Sequence, residues 1–294
     1  MENLAFFGLG QMGQGMVLRL LESGYRLGVY NRTREKAGAA VEKGAELFDK
    51  PATAVGAAGL LITMLADDNA VAELVTEEVL QALGKGSVHL SMSTLSPAAV
   101  QNLLPRHARH GVQYLACPVF GRPDAARAGK LWLCLAGDEE AKSRVRPLLD
   151  VMGQGVFDFG GHPPAANVVK LAGNFLIASA IEAMAEAFSL VEKNGADPSQ
   201  AHALLTQTLF ACPIYQNYGK FILDQSYDPP GFNLALGSKD VRLVRDTARE
   251  SQVPMPLAGL LEDRFLRSLA NGRENLDWTA IAIDQRESAG LTDN

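Results

Sequence analysis

The chain is short of cysteine, short of basic charge and without a long uninterrupted apolar run near its start. Three cysteines, Cys117, Cys134 and Cys212, in 294 residues are too few and too scattered for a disulfide framework or a cysteine-based metal site. The default compartment is then a reducing cytoplasm. Lys and Arg number 27 against 33 Asp and Glu, a formal charge of −6, so nucleic acid is not expected as a partner. No span approaches the roughly 20 apolar residues of a membrane helix, since even the apolar stretch from Pro51 to Ala66 stops before Asp67 and Asp68, and no membrane partner is expected. The N-terminus lacks the basic n-region of a signal peptide. His89, His107, His110, His162 and His202 have no metal-ligand spacing, which leaves them surface or packing roles and assigns no metal. With 47% hydrophobic and 20% charged residues the chain reads as globular, and its length usually makes two domains.

The clearest local pattern is at the start. Asn3 to Phe7 is a short apolar strand, and Gly8-Leu9-Gly10-Gln11-Met12-Gly13 opens a helical pattern through Leu18, Leu20 and Leu21. A second strand runs from Tyr25 to Tyr30, and Asn31-Arg32-Thr33 leads into a charged helix ending near Lys43-Gly44, which completes a βαβ unit. Apolar segments at Gly59 to Met64, Ser87 to Leu90, Val112 to Cys117 and Leu131 to Leu135 alternate with helix-like stretches. This alternation predicts an α/β fold with a doubly wound parallel sheet. After Gly160-Gly161 no strand pattern returns. The stretch from about Pro164 to Lys193 starts after a proline pair, stops at Asn194-Gly195 and predicts one helix, about 45 Å long at 1.5 Å per residue. It is apolar around most of its circumference, so it must be buried between domains or subunits, and homodimerisation through the helical half is expected. Shorter helices are predicted at about 198 to 210, 232 to 250, 255 to 270 and 277 to 287. The expected division is a dinucleotide-binding Rossmann domain over 1–161 and an all-α substrate and dimerisation domain over 162–294.

Each glycine of the first motif has a separate task in a dinucleotide site. Gly8 permits the tight turn, Gly10 lets the backbone approach a pyrophosphate, and Gly13 allows close helix packing. An NAD-specific site places Asp or Glu at the end of the second strand, where this chain has Asn31. Arg32 beside it offers a guanidinium fork suited to a phosphate and Thr33 adds a hydroxyl, so NADP(H) is preferred over NAD(H). Farther on, Lys170 and Asn174 stand four residues apart on one face of an apolar helix. A lysine in such surroundings is either a tuned ammonium that exchanges a proton or a side chain that snorkels to water.

Four motifs in order, Gly8 to Gly13, Met92-Ser93-Thr94 with Pro97, Gly121 to Gly129, and Asn167 to Asn174 with Lys170, together with Phe232 to Leu243 containing Lys239-Asp240, resemble the β-hydroxyacid dehydrogenase family. That family includes 3-hydroxyisobutyrate dehydrogenases and the glyoxylate and succinic semialdehyde reductases, and the resemblance covers essentially the whole length. It implies a catalytic Lys170 that protonates the carbonyl oxygen or stabilises charge there, and an Asn174 that holds substrate. It also implies that Thr94 and Lys239 contact the cofactor and that Met64 and Leu65 follow the strand lining its adenosine side. Asn31-Arg32-Thr33 is similar to the NADPH-using branch. One departure stands out: where relatives carry Pro-Val-Ser-Gly, this chain has Pro118-Val119-Phe120-Gly121-Arg122. Phe120 removes a serine hydroxyl and adds a ring, and Arg122 supplies a charge that can bind a carboxylate from another angle.

These readings converge on a cytoplasmic NADP(H)-dependent oxidoreductase that moves a hydride between nicotinamide and the carbonyl or hydroxyl carbon of a small hydroxy acid or semialdehyde acid. Lys170 is the expected proton donor, Asn174 fixes the substrate, and Ser93, Thr94, Gly121 and Arg122 shape its pocket in a cleft between the domains. The expected partners are a small-molecule substrate and further copies of the chain, as a homodimer or homotetramer. Two alternatives remain open at this point, an imine reductase with a larger apolar pocket and a non-catalytic dinucleotide-binding scaffold.

Overall fold

The computed structural model describes residues 3–56 and 58–291. Its first part runs β1 (Asn3–Phe7), α1 (Gln11–Glu22), β2 (Arg26–Tyr30), α2 (Gly38–Glu42), β3 (Glu46–Leu47), α3 (Pro51–Val55), β4 (Leu60–Thr63), α4 (Asp68–Leu74), α5 (Glu77–Leu83), β5 (Val88–Ser91), α6 (Pro97–Arg109) and β6 (Gln113–Ala116). There follow β7 (Val119–Phe120), α7 (Pro123–Arg127), β8 (Leu131–Leu135), α8 (Glu139–Met152) and β9 (Gly153–Asp158). The rest is helical: α9 (Pro164–Lys193), α10 (Pro198–Gln207), α11 (Pro213–Leu223), α12 (Leu234–Glu250), α13 (Pro256–Ala270) and α14 (Ile281–Ser288). The chain divides into two compact units, Met1–Lys170 and Leu171–Asn294, so the division falls inside α9.

In the first unit six parallel strands lie in the order β3-β2-β1-β4-β5-β6. This is the doubly wound order, with the reversal between β1 and β4, and ligands of such sheets bind at the carboxyl ends of strands beside that switch. Strand alternation builds a core on each face. Leu4, Phe6, Leu60 and Ile62 point to one face and pack with Met16 and Leu20 of α1 and Leu148 and Leu149 of α8. Ala5, Phe7 and Leu61 point to the other, where Val55, Leu80, Val100 and Leu103 cover them.

Two expectations about this unit are corrected. Leu131 to Leu135 is a strand but not part of the parallel sheet: β8 belongs to a separate sheet of order β7-β8-β9, antiparallel to β7 and parallel to β9. The segment 121–130 is too short for a parallel crossover, so it returns the chain antiparallel. The charged helix after Thr33 is instead a 3-10 turn over Arg34–Ala37 followed by the short α2.

Thr63, His89 and Ser91 on the second face make the core partly polar, since all three are buried. Thr63 Oγ1 lies 3.0 Å from His89 Nε2, His89 Nδ1 lies 2.8 Å from His107 Nε2, and His107 Nδ1 lies 2.8 Å from the Leu103 carbonyl. The carbonyl can only accept, so His107 donates from Nδ1 and accepts at Nε2 from His89, which in turn accepts from the Thr63 hydroxyl. That chain of donors holds both rings neutral. Burial, helped by the neighbouring His107, pushes His89 well below the usual histidine value, and burial pushes His107 down to about 4.

In the second unit Ile181, Met184 and Phe188 of α9 meet Tyr218 and Ile222 of α11, Leu261 and Phe265 of α13, and Trp278 and Ile281. Helix α11 has no counterpart among the expected helices; Pro213 at its first turn is the signal that marks it. The expectation that no stretch has membrane-spanning composition fails for α9, whose most apolar 18 residues have a mean hydropathy of 1.5. Half of that window is buried inside the protein, as in a core helix. The helix is not covered all round, for Leu176 is 65% exposed and Leu190 is 67% exposed.

Candidate active site

The glycine loop is shaped by contacts that leave no room for side chains at two of its three glycines. Gly8 has φ +99° and donates its N–H to the Tyr30 carbonyl at 3.2 Å. A Cβ there would strike the Met64 backbone, and one on Gly13 would strike the Gly8 carbonyl oxygen. At Gly10, by contrast, a Cβ would meet nothing within 4 Å. Gly10 is the N-cap of α1, whose first turn carries no acidic residue. The N-terminal amides of a helix and its dipole favour an anion, and the open space over Gly10 is where a pyrophosphate would lie. Gln11 and Gly10 are exposed, whereas Leu9 is fully buried and Met12 packs on the core. The loop therefore leaves its backbone exposed at Gly10 and Gln11, and Leu9 and Met12 anchor it to the core.

Asn31 ties this loop to the end of β2. Its Oδ1 accepts from the Leu9 N–H at 2.8 Å and its Nδ2 donates to the Thr33 carbonyl at 2.6 Å. With the amide spent on both sides, Arg32 and Thr33 are left exposed beside the loop. An Asp at this place would still accept from Leu9 but could not donate to Thr33, and it would repel a phosphate.

The end of β4 is fastened in the same manner. Met64 N–H donates to the Phe7 carbonyl at 2.9 Å, and Leu65 N–H donates to Ser93 Oγ at 2.8 Å. Ser93 is fully buried. Its hydroxyl accepts this bond and braces the Leu65 loop. Thr94, next to it, is half-buried.

Lys170 has its Nζ 4.0 Å from the centre of the Phe120 ring and is 8% exposed. The charge also reaches Cys134 on β8, whose thiol burial pushes up while the lysine draws it down. Phe120 is half-buried at the end of β7, Gly121 follows with φ +142°, and half-buried Arg122 caps α7. A Cβ on Gly121 would crowd Leu131 and Ala125, so the turn that aims Phe120 and Arg122 requires glycine. One turn before Lys170, Asn167 is buried and donates to the Leu95 carbonyl at 3.3 Å.

In the second unit Asn174 donates from Nδ2 to Asp240 Oδ2 at 2.5 Å, and Lys239 Nζ lies 3.0 Å from Asp240 Oδ1. Both Asn174 and Asp240 are buried. Asp240 was quoted in the sequence only as part of a motif with Lys239. The structure brings it between two predicted site residues, where it orients both side chains. Among the described residues no cluster of three or more His, Cys, Asp or Glu is placed to hold a metal ion.

Residues 3–161 match the model of the NAD binding domain of 6-phosphogluconate dehydrogenase, and residues 164–283 match the NAD-binding domain of NADP-dependent 3-hydroxyisobutyrate dehydrogenase. The chain belongs to the β-hydroxyacid dehydrogenase family. The Bacillus subtilis (strain 168) protein named Uncharacterized oxidoreductase YfjR is 40% identical over 280 residues, 95% of this chain and 98% of that one. The Mycobacterium tuberculosis 3-hydroxyisobutyrate dehydrogenase with L-serine superposes with a TM-score of 0.88 at 27% identity, covering 97% of this chain and 99% of the other. A reductive aminase from Aspergillus terreus in complex with NADPH4, cyclohexanone and allyl amine is more distant in structure, with a TM-score of 0.63 at 26% identity, covering 96% and 98%. As a β-hydroxyacid dehydrogenase the protein is an enzyme, an NAD(P)-dependent oxidoreductase of CH–OH groups that takes a nicotinamide cofactor and a small-molecule substrate.

Proposed function

We propose that this dehydrogenase uses NADP(H) and interconverts a small 2- or 3-hydroxy acid and its carbonyl form, a semialdehyde acid or related oxo acid. The observation that supports this most is Lys170, an almost buried ammonium with Asn174 one turn along the same helix. Bound dinucleotide supplies or accepts the hydride. In the reducing direction Lys170 Nζ gives a proton to the oxygen that develops negative charge, and in oxidation the neutral amine takes the hydroxyl proton. Asn174, held by Asp240, presents its amide to the substrate, and Arg122 beside Gly121 offers a charge-assisted bond to the carboxylate. Gly8, Leu9, Gly10, Gln11, Met12 and Gly13 form the pyrophosphate loop, Met64, Leu65 and Thr94 border it, and Lys239 reaches the cofactor. Ser93 acts at one remove, through the Leu65 amide.

Preference for NADP(H) is supported by the exposed Arg32 and Thr33 at the end of β2, in a place where the chain has Asn31 and no carboxylate. The exposed Leu176 and Leu190 support self-association as a homodimer or homotetramer, and the three free cysteines accord with a cytoplasmic location.

The test is oxidation of NADPH and then NADH, followed at 340 nm, with glyoxylate, succinic semialdehyde, methylmalonate semialdehyde, larger aryl aldehydes and a cyclic imine. Turnover of the short oxo acids with NADPH is the expected result. A second reading, a pocket for larger or less polar substrates including imines, draws on the Phe120 ring beside Lys170. Turnover of the aryl aldehydes or the imine alone would establish it and retire the hydroxy-acid assignment.

A further inference from the structure

Helix α7 lies against α1 with no side chain between the two backbones at Gly15. This glycine is buried and stands outside the glycine loop, about one turn into α1. A Cβ on it would come within 3.0 Å of the Ala126 Cβ, 3.0 Å of the Arg127 amide nitrogen and 3.2 Å of the Pro123 carbonyl oxygen. Two of these three atoms are backbone, which cannot turn aside as a flexible side chain does. Ala126, fully buried, closes the contact from the α7 side. At the far end of α7 the Arg127 guanidinium is bound by both carboxylate oxygens of Glu22, the last residue of α1. At the near end the chain enters α7 through Gly121, at φ +142°, and through its N-cap Arg122. Phe120, just before them, carries the ring that meets Lys170 Nζ. The contact at Gly15 therefore joins the helix that opens the glycine loop to the turn that bears Phe120 and Arg122.

We propose that Gly15 is a positioning residue for the substrate: its missing side chain seats α7 on α1 and so sets where Arg122 stands relative to Lys170 and the glycine loop. The inference rests on the reading of Arg122 as the group that binds the substrate carboxylate. A methyl at position 15 forces α7 to give by a few tenths of an ångström. Arg127 is tied to Glu22 and Gly121 has the backbone freedom of a hinge, so the helix gives at its Arg122 end. A charge-assisted bond from a planar guanidinium to a carboxylate depends on alignment, and small displacements of a binding group weaken it. The cofactor loop is spared. Gly13 faces the Gly8 carbonyl, and Gly15, two residues on and about 200° round the helix, faces away from it toward α7.

The experiment measures NADPH-dependent reduction of succinic semialdehyde and of butanal, an uncharged aldehyde of the same chain length, by the wild type, Gly15→Ala, Arg122→Ala and the double variant. The quantity read is the ratio of kcat/KM for the acid to that for the aldehyde. Arg122→Ala is expected to lower this ratio at least tenfold, and Gly15→Ala roughly three- to tenfold, through KM for the acid with kcat nearly unchanged. The double variant is expected to fall no lower than Arg122→Ala, because the group that Gly15 places is already gone. The Kd for NADPH, read by fluorescence quenching, stays within about twofold of wild type. The melting temperature moves little, since alanine's advantage over glycine inside a helix opposes the cost of the clash. Ala126→Ser, which adds one atom to the same contact from the other side, takes the place of Gly15→Ala if that variant does not fold. An unchanged ratio in a folded Gly15→Ala or Ala126→Ser, or losses that multiply in the double variant, overturns the inference alone. An Arg122→Ala variant that keeps the wild-type ratio overturns the reading of Arg122 and the inference with it, so the two failures are told apart.

Discussion

Two alanine substitutions in one loop should fail in different ways. At Gly13 the added methyl would lie against the Gly8 carbonyl and within 3.2 Å of the Phe6 ring, both parts of the β1–α1 junction that cannot swing aside. Overpacking of this kind costs about 1 to 3 kcal/mol. For a unit of this size each kcal/mol lowers the melting temperature by roughly 2 to 4 °C, so Gly13→Ala should melt about 2 to 12 °C early. At Gly10 φ is −70° and the methyl meets open space, so alanine strains nothing in the free protein. Its effect on stability should stay within about 0.5 kcal/mol, the lost N-cap preference being offset by a stiffer unfolded chain. The same methyl would stand where a pyrophosphate approaches the α1 amides, and NADPH affinity should fall at least tenfold, about 1.4 kcal/mol. Differential scanning fluorimetry and quenching of NADPH fluorescence read the two quantities separately. Equal melting shifts for both variants, or unimpaired NADPH binding by Gly10→Ala, would refute the assignment of the open space to the cofactor.

Replacing Lys170 by Ala should lower kcat by about 10²- to 10⁴-fold and leave the Kd for NADPH nearly unchanged; wild-type turnover in that variant would remove the lysine from the chemistry. Arg32→Ala should weaken NADPH by about 1.5 to 3 kcal/mol and barely affect NADH, and an equal loss for both would show that no 2′-phosphate contact exists. The His89–His107 pair sets an acid limit on the first unit. Because both rings resist protons that the unfolded chain takes up below about pH 6.5, stability is full above that pH and falls as the pH drops toward 4. His107 alone accounts for about 3 kcal/mol of that loss, and urea melts at pH 7 and pH 5 with equal midpoints would contradict it.

Local pattern carried far in this protein. Strand β1 and helix α9 have the bounds that alternation, proline and glycine placement predict, because a strand–glycine–helix junction and a proline-started apolar helix are decided within their own residues. Family motifs point to Lys170, Asn174 and Lys239 as candidate site residues. What they could not show is how side chains divide their bonds. Ser93 looks like a substrate contact in sequence, yet its hydroxyl is engaged with the Leu65 amide, on a strand end 28 residues away in the chain. Asp240 reads as a companion of Lys239, and only packing of α12 places it against Asn174. The sheet to which β8 belongs was likewise invisible, since an apolar pentapeptide is compatible with either sheet until its neighbours choose its partner.

The amino-acid sequence by itself determined the doubly wound order's βαβ beginning, the cofactor loop, the long helix and the residue types of the chemistry, because each depends on spacings of a few residues. Tertiary structure alone decided that Asn31 joins two loops, that two buried histidines share a proton chain with Thr63, and that the Phe120 ring meets the Lys170 ammonium. Apart from Asn31 to Thr33, those contacts link residues 18 to 50 positions apart, and only a closed core brings such partners within bonding distance and excludes the water that would weaken them.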